Sequence, residues 1–102
     1  MMWEKLEPIR ALETQSGLSR LLIYVYVRDS AVSEGIVSVF DHAGIHPGTG
    51  FPALRKAIEL GLMTSDYDDA LSIRRRIIQL TDKGRRVAKH LKEINDILAE
   101  RL

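Results

Sequence analysis

The hydrophobic period of the chain changes at one place, and this change restricts the available folds more than any other feature. Leu54, Ala57, Ile58 and Leu62 form a helical stripe, which predicts a helix over 49–60 with Gly61 as its left-handed stop. Pro52 fits there only within the first turn. From Leu62 to Thr81 the stripe is lost. Ile78 and Leu80 alternate, and the acids Asp66, Asp68 and Asp69 separate two short extended runs, which predicts a hairpin over 63–81. Beyond Thr81, the residues Val87, Leu91, Ile94, Leu98 and Leu102 return at alternating four- and three-residue steps, the seam of a helix that pairs with another.

Upstream of the stripe, Gly and Pro punctuate further helical segments. MWEKLEPIRALETQS places Trp3, Leu6, Ile9 and Leu12 three apart and predicts a helix over about 4–16, with Pro8 near its start or at a bend. In GLSRLLIYVYVRDSA the β-branched and aromatic residues favour a strand, whereas Leu18, Leu21, Leu22 and Val25 follow the helical template. Period is preferred over propensity here, giving a helix buried on several sides. SEGIVSVFDHAG predicts a short helix capped by Ser33, with Ile36, Val39 and Phe40 on one face and Gly44 as its stop. No repeat, low-complexity tract or linker interrupts this order. One domain over 1–102 is expected, with a core at 17–82 and flanking helices at 3–16 and 83–102.

At 102 residues, 45% hydrophobic and 28% charged, the chain has the makeup of an ordinary globular domain. It contains no cysteine, which excludes disulfides and thiolate metal sites. The longest strongly apolar run, LLIYVYV at 21–27, is far below the roughly 20 residues that cross a bilayer. No secretory leader is evident, so a cytoplasmic protein without membrane partners is expected. Net charge is +1, yet residues 1–51 carry 4 Lys/Arg against 6 Asp/Glu and residues 52–102 carry 11 against 8. This shift points to an anionic partner for the second half.

The stretch HPGTGFPALRKAIELGLM contains Gly48, Gly50 and Ala53 in the spacing G-x-G-x-x-A, which lets a pyrophosphate approach a helix N-terminus. A dinucleotide site requires a buried strand just before those glycines, and FDHAGIHP supplies Gly44 and Pro47 instead. Three helices followed by a hairpin form a winged helix-turn-helix, mostly α with a small β wing, in which the helix before the hairpin enters the major groove. PGTGFPALRKAIELGLM resembles the P-G-T-x-[Y/F]-P-x-L-R-[R/K] segment of PadR-type transcriptional regulators, and RRRIIQLTDKGRRVAKHL is similar to their second strand and final helix. The L-T-x-K-G-R ending is shared with MarR-type regulators. These motifs span residues 44–91. The resemblance implies a homodimeric DNA-binding repressor or activator, with Thr49, Arg55 and Lys56 on the recognition helix and Arg74, Arg75 and Arg76 on the returning wing strand. Phe51 stands where the family usually has Tyr, and the G-Y-E pattern is missing before GIVSVF. A leading helix with Trp3 is closer to MarR-type chains, which dimerise through both termini.

The residues support related assignments on their own chemistry. Arg55 and Lys56 lie off the apolar stripe, where they can reach phosphates or base edges. Gly48 and Gly50 form a turn and also let backbone N–H groups approach a phosphate. In a strand Arg74 and Arg76 share one face and Arg75 takes the other, and all three are assigned to flanking phosphates of double-stranded DNA. Lys83, Arg85 and Arg86 open the last helix against its dipole and are read mainly as solubilising charges. Dimerisation is assigned to Trp3, Leu6 and Ile9 beside Val87, Leu91, Ile94, Leu98 and Leu102. Enzyme signatures are lacking: there is no nucleophile elbow, P-loop or catalytic carboxylate pair. His42 and His46 are four apart, but Gly44 intervenes and no third ligand is near, while DYDD lacks the glycine and final glutamate of a calcium loop. No metal or cofactor is therefore expected. Trp3, Tyr24 and Tyr26 either line an effector pocket between subunits or belong to plain core. The competing functional reading is a winged-helix protein-interaction module that does not bind DNA.

Overall fold

The structure, a computed structural model, describes residues 2–29, 31–32, 34–68 and 75–101. A 3-10 helix over Met2–Ile9 runs into α1 (Arg10–Thr14), followed by α2 (Leu18–Val27), β1 (Ala31–Val32), α3 (Ile36–His42) and α4 (Pro47–Glu59). The chain then forms β2 (Met63–Asp68), β3 (Arg75–Leu80) and α5 (Asp82–Leu98).

The apolar period of α2 prevails over its strand propensity, because Leu18, Leu21, Leu22 and Val25 are all fully buried on one face. Around them close Val39 and Phe40 of α3, Ala53, Leu54 and Ala57 of α4, Ile78 and Leu80 of β3, and Ala88 of α5. Tyr24 and Tyr26 pack at the margin of this core. Positive φ at Gly44 and Gly61, +72° and +73°, turns the chain out of α3 and α4 as their sequence positions predict.

Among the described residues the strands form one antiparallel sheet in the order β1-β3-β2, with Met63 opposite Leu80 and Asp68 opposite Arg75. Ile78 and Leu80 face inward while Gln79 between them is exposed, the alternation expected of a half-buried strand.

Four expectations need correction. The leading helix is broken in two, since Pro8 lies in a 3-10 segment and lacks the N–H that a continuous α-helix would use. A two-residue strand, β1, adds to the hairpin at Ala31↔Gln79 and Val32↔Ile78. Helix α4 starts at Pro47, so Pro52 sits beyond the first turn rather than within it. The acids Asp66 and Asp68 belong to β2 and not to the turn. Residues 69–74, including Asp69 and Arg74, lie outside the described residues, as do Ser33 and Leu102; the N-cap position of α3 is Gly35.

The LTDKG segment fastens α5 to the end of α4. Thr81 Oγ1 accepts from Gly84 N–H (3.0 Å) and donates to Gly61 O (2.6 Å), and Thr81 N–H donates to Leu62 O (3.0 Å). Lys83 Nζ donates to Leu60 O at 3.1 Å, so its charge sits at the C-terminal end of α4, where the helix dipole favours it. This tie accounts for a cation that the sequence suggested was only solubilising. Arg85 pairs with Asp82 within the same first turn.

Candidate nucleic-acid interface

The recognition element is built from the turn between α3 and α4. Helix α4 is opened by a histidine cap: His46 has extended backbone and its Nδ1 accepts from Gly48 N–H at 3.0 Å, with Pro47 at the first helical position. Thr49 N–H and Gly50 N–H both donate to His46 O, at 2.9 and 2.8 Å. Gly50 is buried, and a Cβ there would stand 2.5 Å from Phe40 Cγ. Its small size lets α4 close onto α3, and its N–H is already bonded, so Gly50 is a packing residue and not a phosphate contact. The Gly48 N–H is likewise occupied by the His46 cap. A sequence cannot separate these roles, because what a glycine touches is set by a ring ten residues away.

The buried face of α4 carries Gly50, Ala53, Leu54 and Ala57. At 100° per residue the opposite face carries Gly48, Arg55 and Glu59, all exposed. Arg55 has no ion pair or hydrogen-bond partner among the described residues. Lys56, on the flank, approaches Glu59 at 3.7 Å with about a third of its side chain accessible (34%). Thr49 is half-buried in the first turn. The predicted pair Arg55 and Lys56 is thus divided, with Arg55 open to solvent and Lys56 partly neutralised.

Two residues that the sequence did not single out hold this element in place. Arg20 of α2 donates from Nη1 to Gly44 O at 2.5 Å, bracing the turn into α4. Glu34, just before α3, accepts from Ser38 Oγ (2.8 Å) and from the Tyr24 hydroxyl of α2, while His42 Nδ1 lies 3.1 Å from its Oε2 and 3.2 Å from Tyr24 Oη. The Tyr24 hydroxyl, more than any other group, holds the Glu34 carboxyl below its usual range. Burial, then Glu34 itself, pushes the Tyr24 hydroxyl up.

On the wing, Arg75 and Arg76 belong to β3, opposite Asp68 and Tyr67. Arg76 is half-buried and already engaged with neighbouring groups.

The residues assigned to dimerisation divide into two sets. Val87 and Leu91 pack on the chain's own core, whereas Leu6, Ile9, Ile94 and Leu98 are exposed, joined by Ile97, which the seam had not included. The backbone of Trp3 lies in the 3-10 helix. An apolar groove of about 380 Å³ runs between this arm and the body, lined by Leu6, Ile9, Leu12, Leu60, Leu62 and Val87. Among the described residues no helix is long and apolar enough to cross a membrane, and no cluster of three acidic, histidine or cysteine ligands occurs.

No protein-family model and no curated protein sequence matches the chain. Solved structures do. MepR, a transcription regulator of the Staphylococcus aureus multidrug efflux pump MepA, superposes with a TM-score of 0.66 at 18% identity, over 95% of this chain and 70% of its own. AF1382 from Archaeoglobus fulgidus gives 0.64 at 24% identity, over 93% of this chain and 100% of its own. A MarR transcriptional regulator from Methanosarcina mazei gives 0.62 at 24% identity, over 86% of this chain and 57% of its own. The element order, the sheet and these superpositions agree, and the chain has the winged helix-turn-helix fold seen in MarR-type regulators.

Proposed function

We propose that the chain is a sequence-specific DNA-binding transcriptional regulator that acts as a homodimer, with α4 in the major groove and the β2–β3 wing on flanking phosphates. The observation that carries this reading is the outward face of α4, where Arg55 is unpaired among the described residues on a helix held rigidly on its other side by Gly50, Ala53, Leu54 and Ala57. Arg55 reads base edges. Lys56, shared with Glu59, meets phosphate, with Thr49 beside the backbone at the start of the helix. Arg74, Arg75 and Arg76 contribute phosphate contacts from the wing. The partner copy covers Leu6, Ile9, Ile94, Ile97 and Leu98, which the chain leaves exposed. The regulatory role of MepR and of the M. mazei protein, on the same fold, supports this assignment.

The test is a fluorescence-anisotropy titration of random duplex and of fragments from upstream of the chain's own operon, at several salt concentrations. Tighter binding to one fragment, weakening steeply with salt, is the expected result. No binding to any duplex at low salt overturns the proposal and leaves a protein-interaction module on the same fold.

A further inference from the structure

Arg20 stands one turn into α2, is exposed, and has Gly44 O as its sole partner among the described residues. A guanidinium presents five N–H donors in a rigid fork, and tying one carbonyl uses only part of that fork. The start of α2 is pressed against the start of α4: a Cβ on Gly17 would stand 3.1 Å from Ile45 Cγ2 and 3.4 Å from Thr49 Cγ2. The guanidinium is also packed at the turn itself, with Arg20 Nη1 3.6 Å from where a Gly44 Cβ would be. Arg20 is thus fixed where the chain enters α4, on the side of the molecule that exposes His46 and Gly48. Asp41 of α3 is the acid that shares this turn's surface, lining the same shallow cavity as Gly44 and His46.

We propose that Arg20 is a further DNA-backbone contact, which ties the turn with one N–H and offers the remaining donors to a phosphate beside the major groove. This rests on the DNA-binding reading above. The contact requires little additional ordering, because the Gly44 bond has already removed much of the side chain's rotamer freedom. It carries no sequence information, so its removal acts on all duplexes alike.

The experiment measures binding of a random-sequence duplex over a range of salt by wild type, R20A, R20Q and R20K, with a thermal melt of each. R20Q keeps an amide donor for the turn and removes the charge, while R20K keeps the charge. The expected result is a log–log salt slope shallower by about 0.9 in R20A and R20Q, with the wild-type slope retained in R20K. If R20A does not fold, the comparison of R20Q with R20K decides. Wild-type slope in R20A or R20Q overturns the phosphate contact and leaves Arg20 as a brace for the turn. No binding by the wild-type chain at low salt overturns the DNA-binding reading itself, and this inference with it.

Discussion

Gly50 cannot gain even a methyl group without displacing Phe40, whose ring atoms lie 2.5–2.6 Å from where a Cβ would be, and Phe40 is itself pinned edge-on by Phe51 at 5.0 Å. Gly50→Ala is therefore expected to destabilise the fold by about 1–3 kcal/mol, measured by urea denaturation. Phe40→Leu in the same chain should recover part of that loss, and strict additivity of the two changes would show that the contact is not the cause. The Glu34 cluster makes a pH-dependent prediction. A carboxyl held below its unfolded value stabilises the fold above ordinary carboxylate pH, and that contribution disappears as pH falls through the lowered value. Tyr24→Phe removes the largest cause of the lowering, so its acid unfolding transition should move to higher pH than that of wild type. Coincident transitions would exclude the cluster from acid stability. Neither Gly50 nor Glu34 could be assigned from the sequence, because each role depends on a partner brought in by folding. Arg55 could be placed, because its position off the apolar stripe is a property of helical period alone.

At the scale of elements, legibility follows length and periodicity. Helices α2, α4 and α5 repeat their apolar spacing over several turns, so the period outweighs even the strand propensity of LLIYVYV. Strand β1 has two residues and no pattern of its own; it exists because β3 offers a free edge. The leading segment departs from a continuous α-helix at Pro8, where the residues before α1 settle into a 3-10 segment that apolar spacing alone does not reveal. The winged-helix frame also gives the two basic elements different tasks. Arg55→Ala on α4 is expected to narrow the gap between operator and random DNA by about 1–3 kcal/mol for each base edge it no longer reads. Arg74→Ala with Arg76→Ala on the wing should weaken both DNAs equally and lower the salt slope by about 0.9 for each phosphate no longer neutralised. Binding titrations on both DNAs separate these outcomes, and an Arg55→Ala variant whose two affinities fall in parallel would remove Arg55 from base reading.

The whole molecule measures 52 × 35 × 26 Å, with a radius of gyration of 14.4 Å against about 13 Å for a compact chain of this length. The excess lies in its ends. Residues 5–10 and 93–101 are exposed throughout, although they include Leu6, Ile9, Ile94, Ile97 and Leu98. A helix end that carries this much apolar surface without cover from its own chain is the form of an interface. The heptad seam in the sequence points to this end of the molecule but does not say which of its residues the monomer already uses. Leu91 packs on the chain's own core, so an Asp there would threaten the fold as well as the dimer. Ile97 and Leu98 are 62% and 79% exposed, and the double change Ile97→Asp, Leu98→Asp removes apolar surface from the proposed interface while leaving the core intact. Sedimentation velocity should then show a dimer for wild type and a monomer for the variant at the same micromolar concentration. The variant's circular dichroism should remain helical, and its binding to random duplex should fall because a monomer neutralises half as many phosphates. A wild-type chain that sediments as a monomer at high micromolar concentration, or a variant that remains dimeric, would mean that these ends do not form the homodimer interface.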